Sequence, residues 1–495
     1  MNKTKLKGIL FFLVIIITFS CKYDKLELPS PPLVVENGYP EEVGKILVNK
    51  CATAGCHNSL SRGVAGGLDF STWDQMFDGG RNGTSVIPFS IDNSYMLYSV
   101  NTDTLLGPTL IPTMPYNESP LSPIEYSTLV NWIGNGAPNK NGFIKFSDNP
   151  LRKKIYICMQ GCDKVAVIDE QTKVIMRYVN VGAISSQIES PHMVRVSPDG
   201  QYWYVVFYTG DIVQKFRASD DSLVGQVNIS SGDWTTIMIT PDGSKGFVNA
   251  TGAGKTVVVD LNSMSQLTVL SGDFPHGGFI TNDGHYLYVS SQNGNFITKI
   301  DITSPFYDSN QIVLIPGAQP STSSSLDPHE MILSPDGTKY FVSCQKSSEI
   351  RIFQLNNDSL LSVIAVGEKP QEFASLSSLN KVYVTCTEAI VSTGKKGLVY
   401  SIDCNTYLKD SIYTGFQPHG IAADESTNLV YVANLNIDPT GPAPHHVSSC
   451  SGRNGNLTII DASTFTMYYK QLSDGSTYIY KNELLPAPYF VSIRN

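Results

Sequence analysis

The sequence is short of charge, and of positive charge above all. Asp, Glu, Lys and Arg make up 16% of 495 residues, and 35 Lys and Arg face 44 Asp and Glu. A net charge of −9 leaves no basic surface to meet a phosphate backbone, which excludes a nucleic-acid partner. Long apolar runs are missing too. The run Ile9 to Phe19 has 11 residues, where a membrane-spanning helix needs about 20. Several catalytic signatures are absent: there is no GxSxG elbow and no HExxH helix. Gly252-Ala253-Gly254-Lys255-Thr256 ends like a phosphate-binding loop. It lacks the leading glycine spacing and runs into a strand pattern, so it is not counted as one.

What is present organises the chain. Its length implies more than one domain, and 40 Gly with 25 Tyr lean toward β structure. Lys3, Lys5 and Lys7 precede the short apolar run, as in an export signal. The run ends Thr18-Phe19-Ser20-Cys21. This resembles a bacterial lipoprotein box, which implies lipidation of Cys21 after removal of residues 1–20, although Thr18 and Phe19 depart from its commonest form. The lipid is a membrane anchor and not a span. That places the protein in the cell envelope, periplasmic or on the outer-membrane surface. Residues 21–40 are Pro-rich and read as a tether.

Residues 41–140 carry a second signature. Glu41 to Lys50 shows helical apolar spacing at positions 43, 46 and 47, with acids in the first turn. It leads into Cys51-Ala52-Thr53-Ala54-Gly55-Cys56-His57. CxxCH is the c-type haem attachment pattern, and this is its CxxxxCH variant. The bland alternative for the motif is a Cys51–Cys56 disulfide beside a surface His. Further on come Gly66-Gly67-Leu68-Asp69-Phe70, Pro112-Thr113-Met114-Pro115, and a helix from Ser122-Pro123 to Gly134-Asn135-Gly136-Ala137-Pro138. A Ser N-cap, Pro at the first helical position and Gly past the end mark that helix. This order resembles an all-α cytochrome c domain fused to larger exported proteins in planctomycetes and Bacteroidetes. The resemblance implies haem c on Cys51 and Cys56, with His57 and Met114 as axial iron ligands. Met76 and Met96 compete for the distal position, but each sits in an apolar helical pattern and reads as core. With both axial positions filled, the haem transfers electrons to a redox protein partner and holds no substrate.

Residues 150–495 repeat. Ser197-Pro198-Asp199-Gly200 recurs as Thr240-Pro241-Asp242-Gly243, Thr281-Asn282-Asp283-Gly284 and Ser334-Pro335-Asp336-Gly337, each followed by a β run such as Leu287-Tyr288-Val289-Ser290. Seven such units resemble the YVTN repeats of seven-bladed β-propellers, among them the N-terminal part of nitrous-oxide reductases. The C-terminal Pro488 to Ile493 is expected to complete the blade begun at Ile155, because a propeller ring must close.

Aligning the units on these turns gives one column: His192, Thr235, His276, His329, Gln371, His419 and Tyr489. It starts the innermost strand, at one mouth of the central channel. An insertion in the last unit, Asn436 to Asn456, brings His445, His446 and Cys450 to the same face, where Cys162 also belongs. Clustered His suits copper or zinc, and the nitrous-oxide reductase resemblance implies copper. The bland alternative is that "PH" is a repeat habit, with each His capping a neighbouring blade's carbonyls. Three functions follow: an electron-transfer lipoprotein whose propeller docks a partner or binds metal, a metal-dependent oxidoreductase acting at the His-lined mouth, and a non-enzymatic binding scaffold. The pairing of Cys158, Cys162, Cys344, Cys386, Cys404 and Cys450 stays open, since six Cys allow 15 pairings.

Overall fold

Six four-stranded antiparallel sheets and one five-stranded one form the bulk of the computed structural model, which describes residues 36–388, 390–391, 394–395, 397–446, 450–472 and 475–494. The expected signal peptide, the expected lipidation site Cys21 and most of the expected tether lie outside the described residues. The chain is a seven-bladed β-propeller.

Each blade runs from an innermost strand outward. The second blade, for example, is Pro191–Val196, Tyr202–Phe207, Ile212–Arg217 and Leu223–Asn228. The second and third strands are buried on both faces between neighbouring blades, so they read as continuous apolar runs. The outermost strands face water and alternate. The first blade lacks an innermost strand of its own. Pro488–Arg494 fills that place and pairs with Lys154–Met159, Ile155 opposite Ile493 and Ile157 opposite Val491. The two ends of the repeat array thus close the ring within one sheet.

The recurring turn has a local cause. Ser197 Oγ, Thr240 Oγ1, Thr281 Oγ1 and Ser334 Oγ each donate to the Asp two residues on, at 2.5–2.6 Å. That Asp accepts the backbone N–H two residues further along. The intervening Gly200, Gly243, Gly284 and Gly337 have φ of 68–72°, which glycine adopts without steric penalty.

The 41–146 stretch is helical but slight. Its helices are Glu41–Ile46 continuing as a π-turn over Leu47–Cys51, then Trp73–Met76, Tyr95–Val100 and Pro123–Gly134. Ser122 and Glu125 form a reciprocal capping box at the start of the last one. Lys50 pairs with Glu125 at 2.6 Å, tying it to the first. Met76 and Met96 are buried core. This stretch does not stand apart from the propeller: residues 37–495 form one compact unit. Ile175 N–H donates to Thr84 Oγ1 at 2.7 Å, Glu483 N–H to the Asn82 carbonyl at 3.0 Å, and Lys470 Nζ to the Asp78 carbonyl. Among the described residues, no helix is long and apolar enough to cross a membrane.

Between the first two blades lies a buried ion pair. Lys154 Nζ meets Asp221 Oδ2 at 2.9 Å and the Ala218 carbonyl at 2.8 Å, while Tyr156 and Trp203 donate to Asp221 Oδ1. Removing one partner of such a pair strands the other charge. Asp221→Ala is expected to cost about 3–5 kcal/mol in urea unfolding.

Candidate functional site

The axis of the propeller is built by an irregularity that every blade repeats. The ladder between the innermost strand and its neighbour slips at the ring residue: between Pro191 and Met193, Trp234 and Thr236, Pro275 and Gly278, Pro328 and Met331, Pro370 and Phe373, Pro418 and Ile421, and opposite Ile157–Met159 in the closing blade. A bulge re-aims the side chains it carries. In six blades a residue in the left-handed region stands just before the Pro: Ser190, Phe274, Asp327, Lys369, Gln417 and Ala487, with φ of 51–58°. The third blade has neither this Pro nor this turn at Asp233-Trp234.

The next blade back holds the bulge in place. Asn249 Nδ2 donates to the His276 carbonyl at 2.5 Å, Ser290 Oγ to His329 at 2.8 Å, Ser343 Oγ to Gln371 at 2.9 Å and Thr385 Oγ1 to His419 at 2.6 Å. In four blades the Asn, Ser or Thr that ends this run is therefore an inter-blade stitch.

The consequence is a closed circle of rings. Centroids are 6.2 Å apart for His192–His276, 4.0 Å for His276–His329, 6.1 Å for His329–His419, 3.8 Å for His419–Tyr489 and 4.3 Å for Tyr489–His192. The two wide gaps fall where the intervening blade supplies Thr235 or Gln371. All four histidines are buried. A ring nitrogen of His192, His276 and His419 is drawn to the backbone of Thr235, His329 and Tyr489 on the next innermost strand. Carbonyl capping thus accounts for part of each ring. Yet Nδ1 of these three, and Nε2 of His329, are buried with no hydrogen-bond partner among the described residues. Burial lowers all four pKa values, to about 4 for His276 and about 3 for His419, so the rings are neutral near pH 7.

Beneath the ring lie groups that the repeat alignment did not single out. Glu330 and Glu372 are the second bulge residues of their blades, and both are buried. Glu330 Oε1 accepts from the Gly278 and Met331 amides, each at 2.8 Å. Glu372 Oε1 stands 3.8 Å from His329 Nε2. Burial raises both carboxyl pKa values, and the charge of Glu330 raises Glu372 further, while Arg195 opposes both shifts. The like charge of Glu330 thus favours the protonated form of Glu372. Gly277 makes room, since a Cβ there would lie 2.5 Å from Glu330 Oε1. Position +1 to the ring column carried the signal: Gly in "PHG", Glu in "PHE" and "PQE".

His445 and His446 lie elsewhere on the insertion. Their amides donate to Glu483 at 2.9 and 2.8 Å, their rings bond to each other at 3.0 Å, and His446 stacks on Tyr95 at 3.8 Å. Cys162 and Cys450 form a disulfide that clips the insertion to the first blade. Beside the pair is a cavity of about 660 Å³ lined by Met114, Ile111, Asn82, Lys481, His445 and Glu483.

The haem-motif residues sit on the loop after the first helix. Cys51 is buried, Cys56 is half-buried, and neither is in a disulfide. The His57 amide donates to the Cys51 carbonyl at 3.1 Å, and its ring packs at 5.2 Å from Phe70. His57 Nδ1 is buried with no hydrogen-bond partner among the described residues, and burial lowers the His57 pKa. Met114 packs, partly buried, on the same apolar core as Cys51. Two free thiols and a neutral imidazole with an unsatisfied nitrogen fit a covalently held haem.

No family model matches the chain, and no curated protein matches it. Solved structures do. A Bacteroides fragilis chain provisionally named a 6-phosphogluconolactonase aligns with a TM-score of 0.51 at 13% identity, over 71% of this chain and 100% of its own. One from Bacteroides uniformis with the same provisional name gives 0.52 at 11%, over 69% and 99%. Hydrazine synthase of Kuenenia stuttgartiensis gives 0.46 at 16%, over 57% and 81%. At these identities the likeness is one of fold.

Neutral buried histidines make stability fall in acid. Their folded pKa lies below the unfolded value of about 6.5, so their contribution is complete above that pH and is lost as pH falls toward 4 and 3. Glu330 and Glu372, raised when folded, act in the opposite sense, being lost as pH rises through their folded values. In chelator-treated protein, His276→Gln is expected to remove up to one proton, about 1.4 kcal/mol per pH unit, from the acid-side slope of unfolding free energy. An unchanged slope would contradict the neutral ring.

Proposed function

We propose that the chain is an exported, lipid-anchored electron-transfer protein. It carries haem c on Cys51 and Cys56, with His57 and Met114 as axial ligands, and exchanges electrons with a redox protein partner. The observation that carries this reading is the His57 loop: two thiols, both free, precede a half-buried imidazole whose buried Nδ1 has no partner among the described residues. A His–Met pair would favour the reduced iron and raise its potential. The chain's own contribution is position and burial. Trp73 Nε1 donates to the Ala137 carbonyl and Trp132 Nε1 to that of Pro138, each at 2.8 Å, locking the closing helix against the core on which Met114 packs. A second reading, a metal-dependent oxidoreductase acting at the propeller axis, is favoured by the four neutral imidazoles and their unsatisfied nitrogens.

After expression with a haem maturation system, a pyridine haemochrome spectrum is expected to give one covalent haem per chain. Cys51→Ala/Cys56→Ala should abolish it. Met114→Ala should keep the haem and lower its potential. Absence of covalent haem in the unmodified chain would overturn the reading, and an unchanged potential in Met114→Ala would remove Met114 from the iron.

A further inference from the structure

We propose that the propeller axis holds a first-row divalent transition-metal ion, bound by the imidazoles of His329 and His419 and the carboxylate of Glu372. The inference develops the metal-dependent reading and does not depend on the haem. Ligand atoms of these three residues lie within 4.8 Å of one another, and all three residues are buried. Glu372 comes from the sixth blade and fills the 6.1 Å gap between the His329 and His419 rings, where that blade's own ring residue is Gln371.

Three further observations point to a cation. The nitrogens without partners are Nε2 of His329 and Nδ1 of His419, so each ring keeps one free ligating atom. The other nitrogen of each is engaged: the Gln292 amide lies 3.3 Å from His329 Nδ1, and the His419 ring is drawn to the backbone of Tyr489. Holding the second nitrogen fixes the tautomer that a metal-binding histidine needs. Last, Glu372 Oε1 stands 3.8 Å from His329 Nε2, so a carboxylate oxygen and a ring nitrogen without a partner among the described residues already share one small space.

Two imidazoles and one carboxylate, with His276 centred 4.0 Å from His329 beside them, suit zinc or another borderline ion better than calcium or magnesium. Half-buried Gln292 lies 3.3 Å from His329, half-buried Gln345 bonds to Gln371, and the ring of the exposed Tyr208 is 5.8 Å from that of His192.

The test uses full-length, chelator-treated protein titrated with zinc by calorimetry at pH 7. One equivalent should bind. Glu372→Gln mimics the protonated acid and should stay folded by circular dichroism. Its affinity should fall by at least about 100-fold, the upper end of what losing an outer hydrogen-bond partner costs. His419→Gln should act likewise, and His445→Ala/His446→Ala should change nothing. No stoichiometric uptake, undiminished uptake in both Glu372→Gln and His419→Gln, or uptake lost only in the His445/His446 variant would overturn the site. A haemochrome on the same sample keeps the outcomes apart. Haem without zinc overturns this site alone, and zinc without haem overturns the electron-transfer reading alone.

Discussion

The extra residue in each innermost strand is the constraint on which the axis depends. In a regular strand successive side chains point to opposite faces, so a His at the ring position would pack between blades and its neighbour would point the other way. The bulge breaks that alternation. It gives the ring residue and the one after it a common interior, which is why Glu330 and Glu372 lie beneath the histidines that precede or flank them. The left-handed residue before each Pro is unfavourable for a side chain such as Phe274 or Gln417. Hydrogen bonds from the preceding blade to the bulge carbonyls offset it. In four blades the stitch and the ring are one device: the Asn, Ser or Thr that fixes blade to blade also fixes the ring residue of the next blade, His276, His329, Gln371 or His419.

Desolvation then decides the chemistry of the interior. Four imidazoles removed from water stay neutral. Burial raises the pKa values of both Glu330 and Glu372, and Arg195 opposes both shifts. The contrast with Lys154 and Asp221 is instructive. That pair is as buried, but every strong group in it has partners, among them the Ala218 carbonyl, Tyr156 and Trp203. Its chemistry is spent on holding two blades together. The axial nitrogens have no such partners, and polar groups buried without them are unfavourable unless something else satisfies them.

The fold was largely legible because its signals are local and repeated. The "SPDG" turns follow from an Asx-type hydrogen bond and a left-handed Gly, and the C-terminal strand from the need to close a ring. The histidine column was legible for the same reason. Glu330 and Glu372 were not, because they occupy the next column, where a regular strand would place them on the other face and where five of seven blades carry something else. Arg195 was hidden likewise, as an ordinary polar residue in a strand. The repeat alignment put Cys162 and Cys450 on one face, but their bond joins residues 288 apart, and six Cys left its pairing open. The packing of the helical stretch onto the propeller rests on loop atoms such as Thr84 Oγ1 and the Asn82 carbonyl, which carry no periodic signal.

That packing bears on how the two halves communicate. The insertion after Asn434 departs from the repeat, and it meets the helical stretch through His446 as Ile175, Lys470 and Glu483 do elsewhere. The disulfide holds it from the first blade, the Glu483 carboxylate from the outer edge of its own blade, and the Tyr95 ring from the helix Tyr95–Val100. The Met114 amide is tied to the Ser99 carbonyl of that same helix at 2.7 Å. Met114 and His445 therefore line one cavity because one helix positions both neighbours. A shift of Tyr95–Val100 moves Met114 and loosens the insertion together, so the environment of the methionine is set by the propeller as much as by its own segment.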